Sequence, residues 1–96
     1  MMALIDLIGR RWALRIIWEL GEGRLTFRAL QDACGGVSPS VLNQRLSELR
    51  DVGMIDAYAE EGYALTGLGR ELLAKLVPLT VWAEKWAKAI GTSDDS

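Results

Sequence analysis

The sequence predicts a mainly α-helical domain with one small antiparallel β-hairpin. Residues 38–52 have helical periodicity and a capping residue, and two short runs with strand-like alternation, 54–58 and 63–66, follow directly. Gly62 can supply the positive φ that a tight hairpin requires. An isolated hairpin is marginal in water, so this one has to pack against the helices. Helix, turn, helix and hairpin in this order are typical of a winged helix-turn-helix domain.

Residues 38–52 also have the features of a DNA recognition helix. Ser38 is a good N-cap, and Pro39 suits the first helical position, where a missing N–H costs nothing. An apolar stripe follows at spacings of four and three: Leu42, Leu46 and Leu49. The opposite face carries small polar side chains that can hydrogen-bond base edges: Ser40, Gln44, Ser47 and Asp51, flanked by Asn43 and Glu48. On this pattern alone, the alternative is an ordinary amphipathic surface helix.

Two helices are predicted before this segment. The first covers residues 9–20, and Gly21 and Gly23 end it. Its broad apolar face consists of Trp12, Ala13, Ile16, Ile17 and Leu20. Leu14 and Trp18 form a second apolar row, so this helix is expected to contact more than its own core. The second helix runs from the cap Thr26 to about Ala33, after Leu25 as a one-bridge strand. Its buried side would be Phe27, Leu30 and either Ala33 or Cys34.

The helical region after the hairpin is expected to begin at Gly67 or Leu68, with Thr66 as its cap. Its expected buried residues are Leu72, Leu73, Leu76 and Val77. Pro78 predicts a kink or a break near Val77, because proline cannot donate a hydrogen bond to residue 74. The last segment carries an apolar stripe: Leu79, Trp82, Ala83, Trp86 and Ile90.

Two tryptophans left in water would make an unusually apolar patch. We therefore expect the last stripe to pack on the N-terminal helices of a second chain; folding back on its own domain is the alternative. The expected dimer interface consists of Leu14, Trp18, Leu79, Trp82, Trp86 and Ile90.

Length and composition predict a single domain at residues 1–91 with a disordered tail at 92–96. No apolar run is long enough to span a membrane and the N-terminus lacks the form of a signal peptide, so a cytoplasmic location is expected. Cys34 is the only cysteine and there is no histidine. An internal disulfide is therefore excluded, no metal site or cofactor is expected, and Cys34 is interpreted as a small buried apolar residue rather than a redox sensor.

The net charge of −2 is unevenly distributed. Residues 10–50 contain seven arginines and four acidic residues, an excess of +3, whereas residues 51–96 have a charge of −4. The basic excess coincides with the predicted helix-turn-helix. It is small, so attraction to phosphate should be weak and strongly dependent on salt.

Five segments resemble, in the same order, the HxlR-type winged-helix transcriptional regulators, a MarR-like group of bacterial proteins. They are IGRRWALRIIWEL (8–20), LTFRAL (25–30), VSPSVLNQRLSELRDVGMI (37–55), YALTGLGRELL (63–73) and Trp82. The resemblance implies a homodimeric, sequence-specific DNA-binding regulator whose recognition helix lies in the major groove. It also implies that the protein is not an enzyme. The residues agree, since the chain has no histidine base, glycine-rich phosphate loop or nucleophile elbow.

Two functional hypotheses remain. In the first, a homodimer binds a palindromic operator, and the expected DNA-binding residues are Arg24, Arg28, Ser38, Ser40, Asn43, Gln44, Arg45 and Ser47. Of these, Arg24, Arg28 and Arg45 would bind phosphates. In the second, the domain serves protein interaction or small-molecule sensing, and DNA binding is weak or lost. The acidic wing residues Glu60 and Glu61 favour the second hypothesis, as do Ser40 and Ser47, which replace basic residues usual in the family. The intact order of the motifs and the basic excess in residues 10–50 favour the first, which is the function that we expect. The expected partners are duplex DNA, a second copy and an unidentified small-molecule effector, but no membrane.

Overall fold

The structure is a computed structural model that describes Met2 and residues 11–91. It contains four helices and one antiparallel hairpin within these residues, which confirms the predicted fold class. The elements are α1 (Ala13–Glu19), α2 (Phe27–Ala33), α3 (Pro39–Asp51), β1 (Ile55–Tyr58), β2 (Gly62–Leu65) and α4 (Gly67–Ala89), with 3-10 turns at Leu20–Glu22 and Ala59–Glu61. The tail predicted at 92–96 lies outside the described residues.

Helix α3 has the predicted boundaries because its capping signals are local. The Ser38 hydroxyl accepts a hydrogen bond from the Val41 N–H at 3.3 Å, and Pro39 occupies the first turn. Gly53 follows the last turn with a φ of 79°, in the left-handed region that glycine favours. The three leucines of the predicted stripe are all buried: Leu42, Leu46 and Leu49.

The core lies where α1, α2 and α3 meet the hairpin. Helix α1 contributes Ala13, Ile16 and Ile17, and α2 contributes Leu30. Ile55 and Leu65, which pair across the hairpin, cover the same cluster. The α3 leucines close it, so the apolar face of α3 lies against the core.

Helix α1 is shorter than predicted. Trp12 has a φ of 77°, which a right-handed helix cannot include, so α1 begins at Ala13 and not at residue 9. The helix ends at Glu19, and the 3-10 turn that follows ends at Gly23 with a φ of 141°. Residues 9 and 10 of the predicted helix lie outside the described part of the chain.

Leu25 joins the hairpin as the predicted single bridge. Its N–H donates to the Tyr63 carbonyl at 3.1 Å, and the Tyr63 N–H donates to the Leu25 carbonyl at 2.8 Å. Gly62 is required next to this bridge, because a Cβ there would overlap the Leu25 carbonyl oxygen and because its φ is 93°. The wing is thereby attached to the segment that leads into α2.

Helix α4 is one continuous helix, so of the kink or break expected near Val77 the break is wrong. Thr66 caps it as predicted and accepts a hydrogen bond from the Gly69 N–H at 3.1 Å. Pro78 is exposed and its φ suits a helix, so water can hydrogen-bond the carbonyl it leaves free. Leu72, Leu73 and Leu76 are half-buried, but Val77 was wrongly expected to be buried and is 47% exposed, because α4 extends beyond the core from this point.

Candidate nucleic-acid interface

The outer face of α3 presents an uninterrupted set of polar side chains. Ser40, Asn43, Gln44 and Ser47 are all exposed, opposite the buried leucines. None of the four side chains hydrogen-bonds another residue in the described part of the chain. Ser38 differs from them, since its hydroxyl is engaged as the N-cap. A rigid helix with free amides and hydroxyls on one face can exchange hydrogen bonds with base edges.

The turn between α2 and α3 sets the angle of this face. Gly35 and Gly36 have φ values of 78° and 82°, so the turn uses conformations that other residues rarely adopt. Gln31 closes the turn with two hydrogen bonds. Its side-chain amide donates to the Val37 carbonyl at 2.8 Å, and its backbone carbonyl accepts from the Gly36 N–H at 2.9 Å. Sequence reasoning missed Gln31. Its only signal was a polar residue at a helix end just before two glycines.

Arg45 lies in a different environment from the one expected for a phosphate ligand. Its Nε donates to the Arg11 carbonyl at 3.0 Å, and its Nη1 donates to Glu48 Oε1 at 2.8 Å. Only 14% of its side chain is exposed. The guanidinium therefore ties α3 to the chain just before α1, and two of its nitrogens donate within the protein.

The other two expected phosphate ligands are on the surface. Arg28 is exposed on α2 and forms no ion pair with any residue that the structure describes. Arg24 pairs with Glu61 at the tip of the hairpin, and its guanidinium lies over the Tyr58 ring, 4.2 Å from the centroid. The acidic tip is therefore partly neutralised by a residue on the other side of the wing.

A second surface, the apolar face, is formed by α1 and the C-terminal half of α4. Leu14 is half-buried and Trp18 is 45% exposed. Leu79, Trp82, Trp86 and Ile90 are each more than half exposed, and the two indole rings stack with centroids 6.0 Å apart. Between the helices lies a groove of about 260 Å³, lined by Leu14, Trp18, Leu76, Leu79, Thr80 and Ala83. Among the described residues, the start of the apolar stripe borders α1 across this groove, whereas Trp82, Trp86 and Ile90 stay exposed.

Cys34 has the environment of a structural thiol. It is buried, as predicted, and burial raises its pKa, with the Arg15 charge opposing and the Glu19 charge reinforcing that shift. The thiol is therefore protonated near neutral pH. The described residues contain no group of three or more ligand side chains that could hold a metal ion. No helix among them is long and apolar enough to cross a membrane.

Comparison with known proteins decides the family. The model of the HxlR-like helix-turn-helix family matches residues 7–90. This chain belongs to that family. The HTH-type transcriptional regulator YvaP of Bacillus subtilis is 31% identical to this HxlR-like chain over 88 residues, covering 85% of the chain and 82% of YvaP.

Two solved structures share the HxlR-like fold. Quinone-bound YodB of B. subtilis superposes with a TM-score of 0.81 at 27% identity, covering 88% of this chain and 94% of YodB. A possible HxlR family transcriptional factor of Thermoplasma volcanium gives a TM-score of 0.79 at 27% identity, covering 88% and 82%. The protein is accordingly a DNA-binding transcriptional regulator with a winged helix-turn-helix fold, and it is not an enzyme.

Proposed function

We propose that this HxlR-like regulator binds a palindromic operator as a homodimer, with α3 of each protomer in the major groove. The polar face of α3 carries the proposal. Asn43 and Gln44 each offer an amide that can donate to and accept from an adenine edge, and Ser40 and Ser47 flank them without steric bulk. The buried leucines on the opposite face hold these side chains at a fixed angle.

The arginines divide into two roles in this proposal. Arg28 and Arg24 bind phosphates, because both are on the surface at the ends of the segment that includes α2. Arg45 instead positions α3, since its guanidinium is satisfied by Arg11 and Glu48. With two direct phosphate ligands per protomer, affinity falls steeply with salt, although less steeply than for strongly basic regulators.

The proposed dimer is formed by the apolar face. A second copy is the occupant that fits best, because the face carries its own complement: a groove beside Trp18 and a projecting stripe with Trp82 and Trp86. A two-fold axis brings each stripe against the other chain's groove, as in isologous interfaces. Aromatic anchors of this kind provide most of the binding energy in dimers.

The experiment is selection of binding sites from random duplex DNA with the purified protein, followed by titration of a selected and a scrambled duplex at one salt concentration. We expect a two-fold symmetric site and preference for it over the scrambled duplex. Sedimentation at micromolar concentration should give a dimer. Failure of the protein to distinguish the two duplexes at low salt would reject the operator proposal and favour an interaction module.

A further inference from the structure

Arg24 lies against the wing, next to a backbone bridge and over an aromatic ring. The next residue, Leu25, is held by two backbone hydrogen bonds to Tyr63, at 3.1 and 2.8 Å. The guanidinium carbon lies over the Tyr58 ring, 4.2 Å from its centroid. Stacking on an aromatic ring orients a guanidinium and leaves its N–H edge available to an anion.

The anion in the free protein is the carboxylate of Glu61. The two side chains are exposed, 47% for Arg24 and 66% for Glu61. Exposed ion pairs contribute little to stability, so Glu61 can leave without disturbing the fold. Carboxylate and phosphate both accept paired hydrogen bonds from the edge of a guanidinium.

We propose that Arg24 on Tyr58 forms a binding site for one backbone phosphate of the DNA, and that Glu61 occupies this site as an internal competitor in the free protein. The inference rests on the proposed operator binding and adds a self-masking wing to it. On binding, a DNA phosphate replaces the Glu61 carboxylate at Arg24. The affinity of the wing for DNA is therefore lower than it would be without Glu61. Glu60, which pairs with no residue in the described part of the chain, has no such role.

The chain offers a matched control in this neighbouring glutamate. Glu61→Gln and Glu60→Gln remove the same charge from the same turn, but only the first removes the competitor. At low salt we expect Glu61→Gln to raise affinity for duplex DNA about two- to fivefold more than Glu60→Gln, the factor expected for loss of an exposed ion pair. The increase should be equal for the selected and the scrambled duplex, because phosphates carry no sequence information.

Arg24 has to be the group that is unmasked. In an Arg24→Gln background, Glu61→Gln should therefore gain no more affinity than Glu60→Gln. Arg24→Gln alone should lower the slope of log affinity against log salt by about 1.8 for the dimer, because each protomer loses one phosphate contact. Equal effects of the two glutamate variants in the wild-type background would overturn the inference, as would persistence of the extra gain without Arg24.

Inorganic phosphate distinguishes a DNA site from a site for free anions. Replacing chloride with phosphate at constant ionic strength should weaken DNA binding equally for Glu61→Gln and Glu60→Gln. A loss confined to Glu61→Gln would overturn the restriction of the site to DNA phosphates, because it would show that free phosphate competes with DNA for the same guanidinium. These results are separate from the test of operator binding, which depends only on whether the wild type prefers its selected duplex.

Discussion

Helix α3 and the C-terminal half of α4 have the same amphipathic periodicity but opposite environments. The apolar stripe of α3 is completely covered by α1, α2 and the hairpin, and its polar face is free. The apolar stripe of α4 beyond Pro78 is exposed in the single chain. The comparison shows that periodicity identifies the apolar face of a helix, whereas the path of the chain decides whether its own core covers that face.

The largest effect should come from removing the α4 stripe. Replacing both Trp82 and Trp86 by alanine should give a monomer or an unstable chain. Each aromatic anchor is worth about 2 kcal/mol or more and the dimer contains two copies of each, so the dissociation constant of the dimer should rise at least about a thousandfold. Sedimentation over a concentration series measures it. Val81→Ala, at a more exposed position beside the stripe, is the control and should remain dimeric. If the wild-type protein sediments as a monomer at micromolar concentration, the proposed dimer is wrong.

Truncating the α3 stripe should have a purely intramolecular effect. Leu46 is fully packed in the core, so Leu46→Ala should lower the free energy of unfolding by about 2–5 kcal/mol. Chemical denaturation measures this loss. The folded fraction should keep the wild-type dissociation constant of the dimer, because Leu46 is buried and is not one of the residues of the apolar face. A folded variant that dissociates would show that the two surfaces are coupled.

Local signals explain which parts of this structure were predictable. The ends of α3 and the start of α4 follow from Ser38, Gly53 and Thr66, which act on backbone groups a few residues away. The start of α1 was not predictable, because a tryptophan rarely adopts a positive φ and nothing in the sequence around Trp12 indicates one. The unbroken course of α4 through Pro78 was missed since it depends on access of water to one carbonyl.

In the candidate site, the base-facing residues were predictable from the sequence, whereas the environments of the arginines were not. The base-facing residues of α3 followed from periodicity, because burial of three leucines fixes the opposite face. The roles of the arginines did not follow. Arg45 meets Arg11 across 34 positions of sequence, and Arg24 meets Glu61 through the fold of the wing. Only the three-residue spacing of Arg45 and Glu48 hinted that this guanidinium is satisfied internally.

The exposed face of α3 is tested by Gln44, two positions before Leu46. Gln44→Ala should cost about 1–3 kcal/mol of affinity for the selected duplex if the amide makes a bidentate base contact. Binding to the scrambled duplex and the free energy of unfolding should hardly change. Titration of both duplexes, with a denaturation curve for each protein, measures the difference. Equal weakening on both duplexes would remove Gln44 from the base-reading set.

The smallest effect, and the one that separates contact from positioning, concerns Arg45 and Arg28. Each is changed to glutamine, which removes the same charge. Arg28 is exposed and unpaired among the described residues, so its variant should weaken binding to every duplex and lower the salt slope by about 1.8 for the dimer. Arg45 donates within the protein, so its variant should keep the salt slope. It should instead lose about 1 kcal/mol of preference for the selected duplex, because α3 is less firmly held.

Affinities over a series of salt concentrations measure both slopes. A fall in slope for Arg45→Gln equal to that for Arg28→Gln would make Arg45 a phosphate ligand after all, with its contacts to Arg11 and Glu48 replaced on DNA.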